Sequence, residues 1–165
     1  YNTKVTDAGL VHLKGLTKLE GLNLTNTKVT DAGLVHLKGL TKLETLELWH
    51  TKVTDAGLVH LKGLTNLEVL GLTYTQITDA GLLHLRGLTN LEQLNLYGTT
   101  VTDAGVQKLQ KALPNCKISY DSPQDLHLPR GATDELKLPE STTDEQLAEV
   151  QTTETLLRFE HPIPR

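Results

Sequence analysis

A repeat of 24 residues is the feature that most constrains how this chain can fold. The tetrapeptide Thr-Asp-Ala-Gly recurs at that fixed interval, and its threonines are Thr6, Thr30, Thr54, Thr78 and Thr102. A constant period between about 20 and 50 residues indicates a solenoid, in which each unit packs only against its neighbours. The single repeat unit is therefore the element to interpret first.

The first part of each unit predicts a β-strand with one buried face. In the unit that begins at Leu43, Leu46 and Leu48 alternate with residues that change from repeat to repeat. A period of two places the leucines on one face of a strand and the variable residues on the other. Equivalent strands are expected near 20–25, 44–49, 68–73 and 92–97.

The second part of each unit predicts a helix of about eight residues. Thr54 is placed as an N-cap, and Asp55 lies at the positive end of the helix dipole. Gly63 fits the left-handed position that often follows a helix. Such helices are expected near 31–38, 55–62 and 79–86. A longer fifth helix over 103–113 ends at Pro114, and the alternation of Cys116, Ile118 and Tyr120 predicts a last edge strand.

The full unit is L-x-x-L-x-L-x-x-T-x-[VI]-T-D-A-G-[LV]-x-x-L, which resembles the leucine-rich repeat family. The family's usual Asn or Cys is replaced here by Thr27, Thr51, Thr75 and Thr99. The stretch I/V-T-D-A-G-L is most similar to the cysteine-type repeats of F-box receptors and related bacterial repeat proteins. The resemblance covers 1–120 and implies an α/β solenoid, with parallel strands on its concave face and short helices on its convex face.

The period ends after Tyr120, which predicts a second region of different character. Residues 1–120 contain 12 Lys and Arg against 10 Asp and Glu, whereas 121–165 contain 4 against 10. We expect 121–165 to be an acidic Pro- and Thr-rich tail, mainly linker, with a short helix over 142–157 as one alternative and docking on the last repeat as another. Because the chain begins mid-repeat, we expect its N-terminus to be truncated within a unit.

The sequence contains no motif that indicates catalysis. It lacks a G-x-S-x-G nucleophile elbow, a P-loop and an H-E-x-x-H metal motif. A histidine column, formed by His12, His36, His60 and His84, has no Cys or carboxylate in register, so we expect a solvated flank and no metal site. Cys116 is expected to be a buried structural thiol. We therefore expect that the protein is not an enzyme and uses no cofactor.

Charge and hydropathy narrow the classes of partner. Neither region is basic enough for a nucleic-acid footprint, and no apolar run reaches the roughly 18 residues of a membrane span. The single cysteine slightly favours a reducing compartment such as the cytoplasm. A protein or peptide partner is expected, with a glycan as an alternative.

Aromatic residues suggest where a partner binds. Trp49 and Tyr97 occupy one column just after the strand, and Tyr74 occupies the next column beside His50. Exposed Trp and Tyr are typical of binding hot spots. The predicted site consists of variable concave positions, namely Asn23, Thr45, Glu47, Trp49, His50, Tyr74, Gln93, Asn95 and Tyr97. Two alternatives assign the chain to an F-box-like ubiquitin-ligase adaptor, or to the sensor or scaffold region of a larger enzyme such as a kinase.

Overall fold

A computed structural model describes residues 4–122, which form a five-stranded parallel sheet with the strands in chain order. The strands are β1 (Gly21–Asn23), β2 (Thr45–Glu47), β3 (Val69–Gly71), β4 (Gln93–Asn95) and β5 (Lys117–Ser119). The expected α/β solenoid fold and the last edge strand are confirmed. Tyr1, the acidic tail beyond residue 122 and the helix proposed over 142–157 lie outside the described residues, so the domain division stays a prediction.

The register of the sheet follows the 24-residue period at every strand. Leu46 lies opposite Leu22 on one side and Leu70 on the other, and Leu94 and Ile118 continue the row. Leu46, Leu70 and Leu94 are fully buried. The predicted assignment of leucines to the inner face is therefore confirmed, and a continuous leucine core runs through the repeats.

The convex face consists of short helical turns. The helices are α1 (Asp7–Leu10), α2 (Asp31–Leu34), α3 (Asp55–Leu58), α4 (Asp79–Leu82) and α5 (Asp103–Ala112). The first three continue directly into 3₁₀ turns, such as Val59–Leu61 after α3. Among the helices of residues 4–122, none has the length and apolar character needed to cross a membrane.

Two expectations about these helices are wrong. Continuous helices of about eight residues were expected, but α2 to α4 have four residues each. Gly63 was expected in the left-handed region, but Gly15 and Gly98 are the described glycines with positive φ. Both differences have one cause, since the segment tightens into bonds three residues apart, such as Leu64 N–H to the Leu61 carbonyl at 2.9 Å. These turns satisfy terminal carbonyls and direct the chain back to the sheet.

The threonines at the family's Asn or Cys position close the loop within their own unit. Thr51 is buried and donates its hydroxyl to the Leu48 carbonyl at 2.7 Å. Equivalent bonds are made by Thr27, Thr75 and Thr99. A hydroxyl supplies one donor where an amide would supply two, and one is enough for this carbonyl.

A carboxylate joins each repeat to the next. Asp31 accepts two hydrogen bonds from Thr54 of the following unit, from the backbone N–H at 2.8 Å and from the hydroxyl at 2.7 Å. We name this arrangement the Asp–Thr bridge. The same pair of bonds links Asp7 to Thr30, Asp55 to Thr78 and Asp79 to Thr102. Thr54 also caps α3 by accepting from Ala56 N–H at 3.3 Å, so the predicted N-cap is confirmed.

The glycine of the tetrapeptide makes room for this bridge. A Cβ on Gly57 would collide with Oδ1 of Asp31 and would lie 3.0 Å from Cδ1 of Leu34. Equivalent glycines face the preceding carboxylate at Gly33, Gly81 and Gly105. The tetrapeptide thus has one structural purpose: threonine donates, aspartate accepts and glycine allows close approach.

Candidate functional site

The predicted site residues lie on the concave side, on or just after the strands. Asn23 is in β1, Thr45 and Glu47 are in β2, and Gln93 and Asn95 are in β4. Trp49, His50, Tyr74 and Tyr97 lie in the turns that follow the strands. Trp49, Tyr74 and Tyr97 are 37%, 57% and 46% exposed as whole residues. This surface therefore presents large apolar side chains to solvent.

Glu47 and Trp49 come together over Gly71 on the neighbouring strand. Gly71 is opposite Glu47 in the register, and a Cβ there would collide with both Oε2 of Glu47 and the indole nitrogen of Trp49. The missing side chain thus leaves a notch that both groups occupy. Without that glycine, neither group could lie so close to the sheet.

A shallow depression opens beside this pair. Asn23, Thr25, Asn26, Glu47 and Trp49 line it, and its volume is about 270 Å³. Asn23 Oδ1 accepts from the backbone N–H of Thr25 at 3.0 Å, which fixes the amide at the edge of the depression. The site therefore combines one carboxylate, one indole ring and two amides.

The carboxylate of Glu47 is held in an unfavourable environment. Burial raises its pKa above the ordinary value of 4.5, and hydrogen bonding to Trp49 offsets only part of that effect. Oε2 is buried and has no well-aligned hydrogen-bond partner among the described residues. The donor beside this oxygen is the indole N–H of Trp49, which is uncharged, so no positive charge of the described residues offsets the burial of the carboxylate.

The pKa of Glu47 predicts how its replacement affects stability. Glu47→Gln should melt no lower than the parent protein at neutral pH, because burial disfavours the charged carboxylate more than the neutral amide. Any advantage of glutamine should decrease as the pH falls through the raised folded pKa. It should vanish below the ordinary value of 4.5, where folded and unfolded chains are both protonated. Thermal melts across this range test the expectation.

Glu44→Gln is the matched control for this measurement, because Glu44 is exposed beside the same strand. It should melt like the parent protein at every pH. If Glu47→Gln melts well below the parent at neutral pH, then the ionised carboxylate stabilises the fold and the unfavourable-environment interpretation is wrong.

A second cluster surrounds Tyr74. Its ring stacks on His50 with a centroid distance of 4.5 Å and an interplanar angle of 22°. On the other side, a Cβ on Gly98 would collide with the Tyr74 ring. Gly98 N–H donates to Asp121 at 2.6 Å, which holds the turn beneath the ring. Tyr74 is therefore flanked on both sides while more than half of it remains exposed.

The turn after the strand has an uncommon backbone conformation at the same position in four successive repeats. Asn26, His50 and Tyr74 have φ angles of 56°, 53° and 53°, and Gly98 follows at 66°. The left-handed region costs a non-glycine residue about 1–3 kcal/mol. Placing His and Tyr here is locally unfavourable, and such residues concentrate at functional sites.

The aromatic side chains of this surface make separate contacts. Trp49 packs with Glu47 over Gly71, whereas Tyr74 stacks with His50. Thr73 lies in the column between Trp49 and Tyr97, and no ring stacking joins these two aromatics within residues 4–122. The surface consequently has two separate aromatic clusters.

Four residues of this surface are absent from the predicted site. Thr25 and Asn26 line the depression, while Gly71 and Gly98 provide the spaces that the larger side chains fill. Asn26 and Gly98 share a column with His50 and Tyr74, which is a signal that the sequence contained. Gly71 shares a column with Asn23, Glu47 and Asn95 and is the smallest member.

The convex side offers weaker candidates. A depression of about 220 Å³ is lined by Asp79, Arg86 and Lys108 among others, but Asp79 already accepts two bonds from Thr102, which lower its pKa. Within the described residues, no three His, Cys, Asp or Glu side chains come together as a metal site. This side is thus explained by the bridges between repeats.

Two sequence expectations concern residues outside the concave surface. The expectation of a solvated flank is wrong for three histidines, since His36, His60 and His84 are half-buried. Burial, and then the charge of Lys38, lower the pKa of His60. Cys116 is buried, as expected, and burial raises the pKa of its thiol to about 11. A thiol with such a pKa is protonated at neutral pH and is a poor nucleophile.

Family comparisons agree with this architecture. A profile for two copies of the leucine-rich repeat matches residues 65–111, and a single-copy profile matches residues 15–37. The chain contains leucine-rich repeats. Repeats of this family are typically non-catalytic and form protein-interaction modules. None of the curated proteins compared with this leucine-rich repeat chain matches it significantly.

Solved structures share the fold of this leucine-rich repeat protein. An internalin from Listeria monocytogenes superposes with a TM-score of 0.61 at 26% identity, over 72% of this chain and 33% of its own. A leucine-rich repeat protein of Leptospira interrogans superposes with a TM-score of 0.53 at 24% identity, over 66% of this chain and 27% of its own. The leucine-rich repeat ectodomain of an Arabidopsis thaliana receptor kinase superposes with a TM-score of 0.51 at 20% identity, over 73% of this chain and 65% of its own. The chain thus spans a third or less of the first two proteins.

Proposed function

We propose that the concave face binds a protein or peptide, with Trp49 and Tyr74 as its principal contacts. The observation that carries the proposal is the exposure of two aromatic clusters that the fold itself does not require. Core leucines and Asp–Thr bridges explain the repeated residues, but they do not explain an exposed Trp49 or the choice of a tyrosine at the left-handed turn position 74.

The geometry of the clusters supports this role. Tyr74 is held between His50 and Gly98, and Trp49 is held against Glu47, so both rings are ordered before a partner arrives. Rigid aromatic side chains bury a large area and lose little rotamer freedom on binding. The adaptor and sensor alternatives assign the same task to this surface and differ in the rest of the protein.

A displayed library of random peptides tests the proposal. Peptides selected on the parent protein should bind Trp49→Ala with Tyr74→Ala at least about thirtyfold more weakly, since one hot spot contributes roughly 2 kcal/mol or more. Circular dichroism and melting temperature should stay close to those of the parent. Binding is measured by titration with the purified peptides.

Val59→Ala with Leu83→Ala is the matched control, because these convex side chains are 41% and 51% exposed. This variant should bind the selected peptides as the parent does. If the selected peptides bind the aromatic variant as tightly as the parent but no longer bind the convex variant, then the binding surface lies on the opposite side of the solenoid.

A further inference from the structure

The depression beside Trp49 lacks a positive charge. The half-buried carboxylate of Glu47 lines it, and the hydrogen-bond donor beside this carboxylate is the uncharged indole N–H of Trp49. The strand positions on either side of Glu47 are Asn23 and Gly71, and neither carries a charge. A desolvated carboxylate of this kind gains most from a cation that also donates hydrogen bonds.

The other groups of the depression suit such a cation. The exposed Trp49 ring lies beside the carboxylate, and indole is the strongest aromatic partner for a cation. Asn23 Oδ1 accepts one bond from Thr25 N–H and retains a second lone pair. Asn26 adds another amide oxygen at the edge. Several acceptors around one ring match the five N–H donors of a planar guanidinium better than a single ammonium.

The size of the depression limits what it can hold. Its volume of about 270 Å³ lies below the roughly 300–1,000 Å³ of small-molecule pockets. A single long side chain fits this space, while the remainder of a partner would lie along the sheet. The depression is therefore a specificity pocket for one residue and not a complete ligand site.

We propose that the depression of Asn23, Thr25, Asn26, Glu47 and Trp49 receives an arginine side chain of the bound protein or peptide. This inference rests on the proposed function, and it adds the chemistry by which the concave face selects its partner. The guanidinium pairs with Glu47, stacks on Trp49 and donates to the asparagine oxygens. Lysine is accepted less well, because its ammonium cannot satisfy several oxygens in one plane.

Trp49 provides a direct test, since it is the only tryptophan of the chain. Its indole N–H gives one signal in a ¹H–¹⁵N correlation spectrum. Nα-acetyl-arginine amide should shift this signal saturably, and Nα-acetyl-citrulline amide, which has the same shape without the charge, should bind at least about fivefold more weakly. Nα-acetyl-lysine amide should lie between them.

Glu47→Gln keeps the shape of the site and removes its charge. In this variant the arginine probe should lose most of its advantage over the citrulline probe and keep only the part that stacking on Trp49 provides, while Glu44→Gln should bind arginine like the parent protein. Equal affinity of the parent for the arginine and citrulline probes, an unshifted indole signal, or full arginine binding by Glu47→Gln would overturn the proposal.

Library peptides separate failure of this inference from failure of the proposed function. Selected peptides should contain arginine and should lose affinity when it is replaced by citrulline. Peptides that depend on Trp49 and Tyr74 but not on arginine or Glu47 would refute the cation pocket and leave the concave binding face intact. Peptides whose affinity does not change when Trp49, Tyr74 or Glu47 is replaced would overturn both the cation pocket and the proposed function.

Discussion

Leu46→Ala should lower the free energy of unfolding by about 2–5 kcal/mol. Leu46 is fully buried in β2 and lies between Leu22 and Leu70 of the adjacent repeats. Removing its side chain leaves a cavity that the two neighbouring repeats cannot close, because their strands are fixed by backbone hydrogen bonds. Denaturant titration of the parent and the variant measures this loss.

Thr45→Ala is the control, because Thr45 is adjacent in the same strand but half-exposed on the other face. It should cost well under 1 kcal/mol, as is usual for surface positions (about 0.5 kcal/mol or less). If Leu46→Ala is as mild as Thr45→Ala, then the assignment of the two strand faces is wrong.

Asp31→Ala should lower the free energy of unfolding by about 2–3 kcal/mol. The variant loses both bonds of an Asp–Thr bridge, and hydrogen bonds to a charged group contribute roughly 1.5–3 kcal/mol each when buried. The part-buried position of this bridge reduces that range. Thr54 would then keep a backbone N–H without its acceptor. Thermal and denaturant unfolding again provide the measurement.

Asp103→Ala isolates the bridge from the helix dipole. Asp103 begins α5 as Asp31 begins α2, but its Oδ1 is buried without a partner among residues 4–122. Only the dipole contribution, about 0.3–1 kcal/mol, should be lost there. Equal losses at Asp31 and Asp103 would show that the bridge contributes nothing beyond its place in the first turn.

Gly57→Ala completes a double-mutant cycle with Asp31→Ala. Alanine favours a helix over glycine by about 1 kcal/mol, but here its Cβ collides with Asp31, and such overpacking costs about 1–3 kcal/mol. Gly57→Ala alone should therefore destabilise the protein. In the Asp31→Ala background it should cost clearly less, because the collision with the carboxylate is gone and only Cδ1 of Leu34, 3.0 Å from the added Cβ, remains close. Strict additivity would contradict the close approach.

The sequence predicts most of the fold because the repeat is regular in space as well as in the chain. The alternation around Leu46 fixes the buried strand face, and the departure from the pattern near Pro114 marks α5 and β5. What it does not predict is the Asp–Thr bridge. Asp31 in the first turn of a helix already has a local explanation, so nothing in the pattern indicates a partner 23 residues further on.

The candidate site is predictable by position but not by arrangement. Column variability identifies Glu47, Trp49 and Tyr74, since a strand face that neither packs nor repeats is free to vary. Their grouping depends on which neighbouring residues are small. The missing side chain of Gly71 leaves space for Glu47 and Trp49 to lie together, and that of Gly98 leaves space for Tyr74. The surface therefore divides into two clusters. Side-chain packing between strands decides this division, and periodicity contains no information about it.

The Asp–Thr bridge works as a connector with two different ends. Each repeat offers a carboxylate to its successor and a threonine N–H and hydroxyl to its predecessor, so any two copies fit in the same way. Repeats can therefore be added or removed without redesigning the joint. Within residues 4–122, Oδ1 of Asp103 is buried without a hydrogen-bond partner, so Asp103 is one such open end. A further Thr-Asp-Ala-Gly unit placed there would find its acceptor already in position.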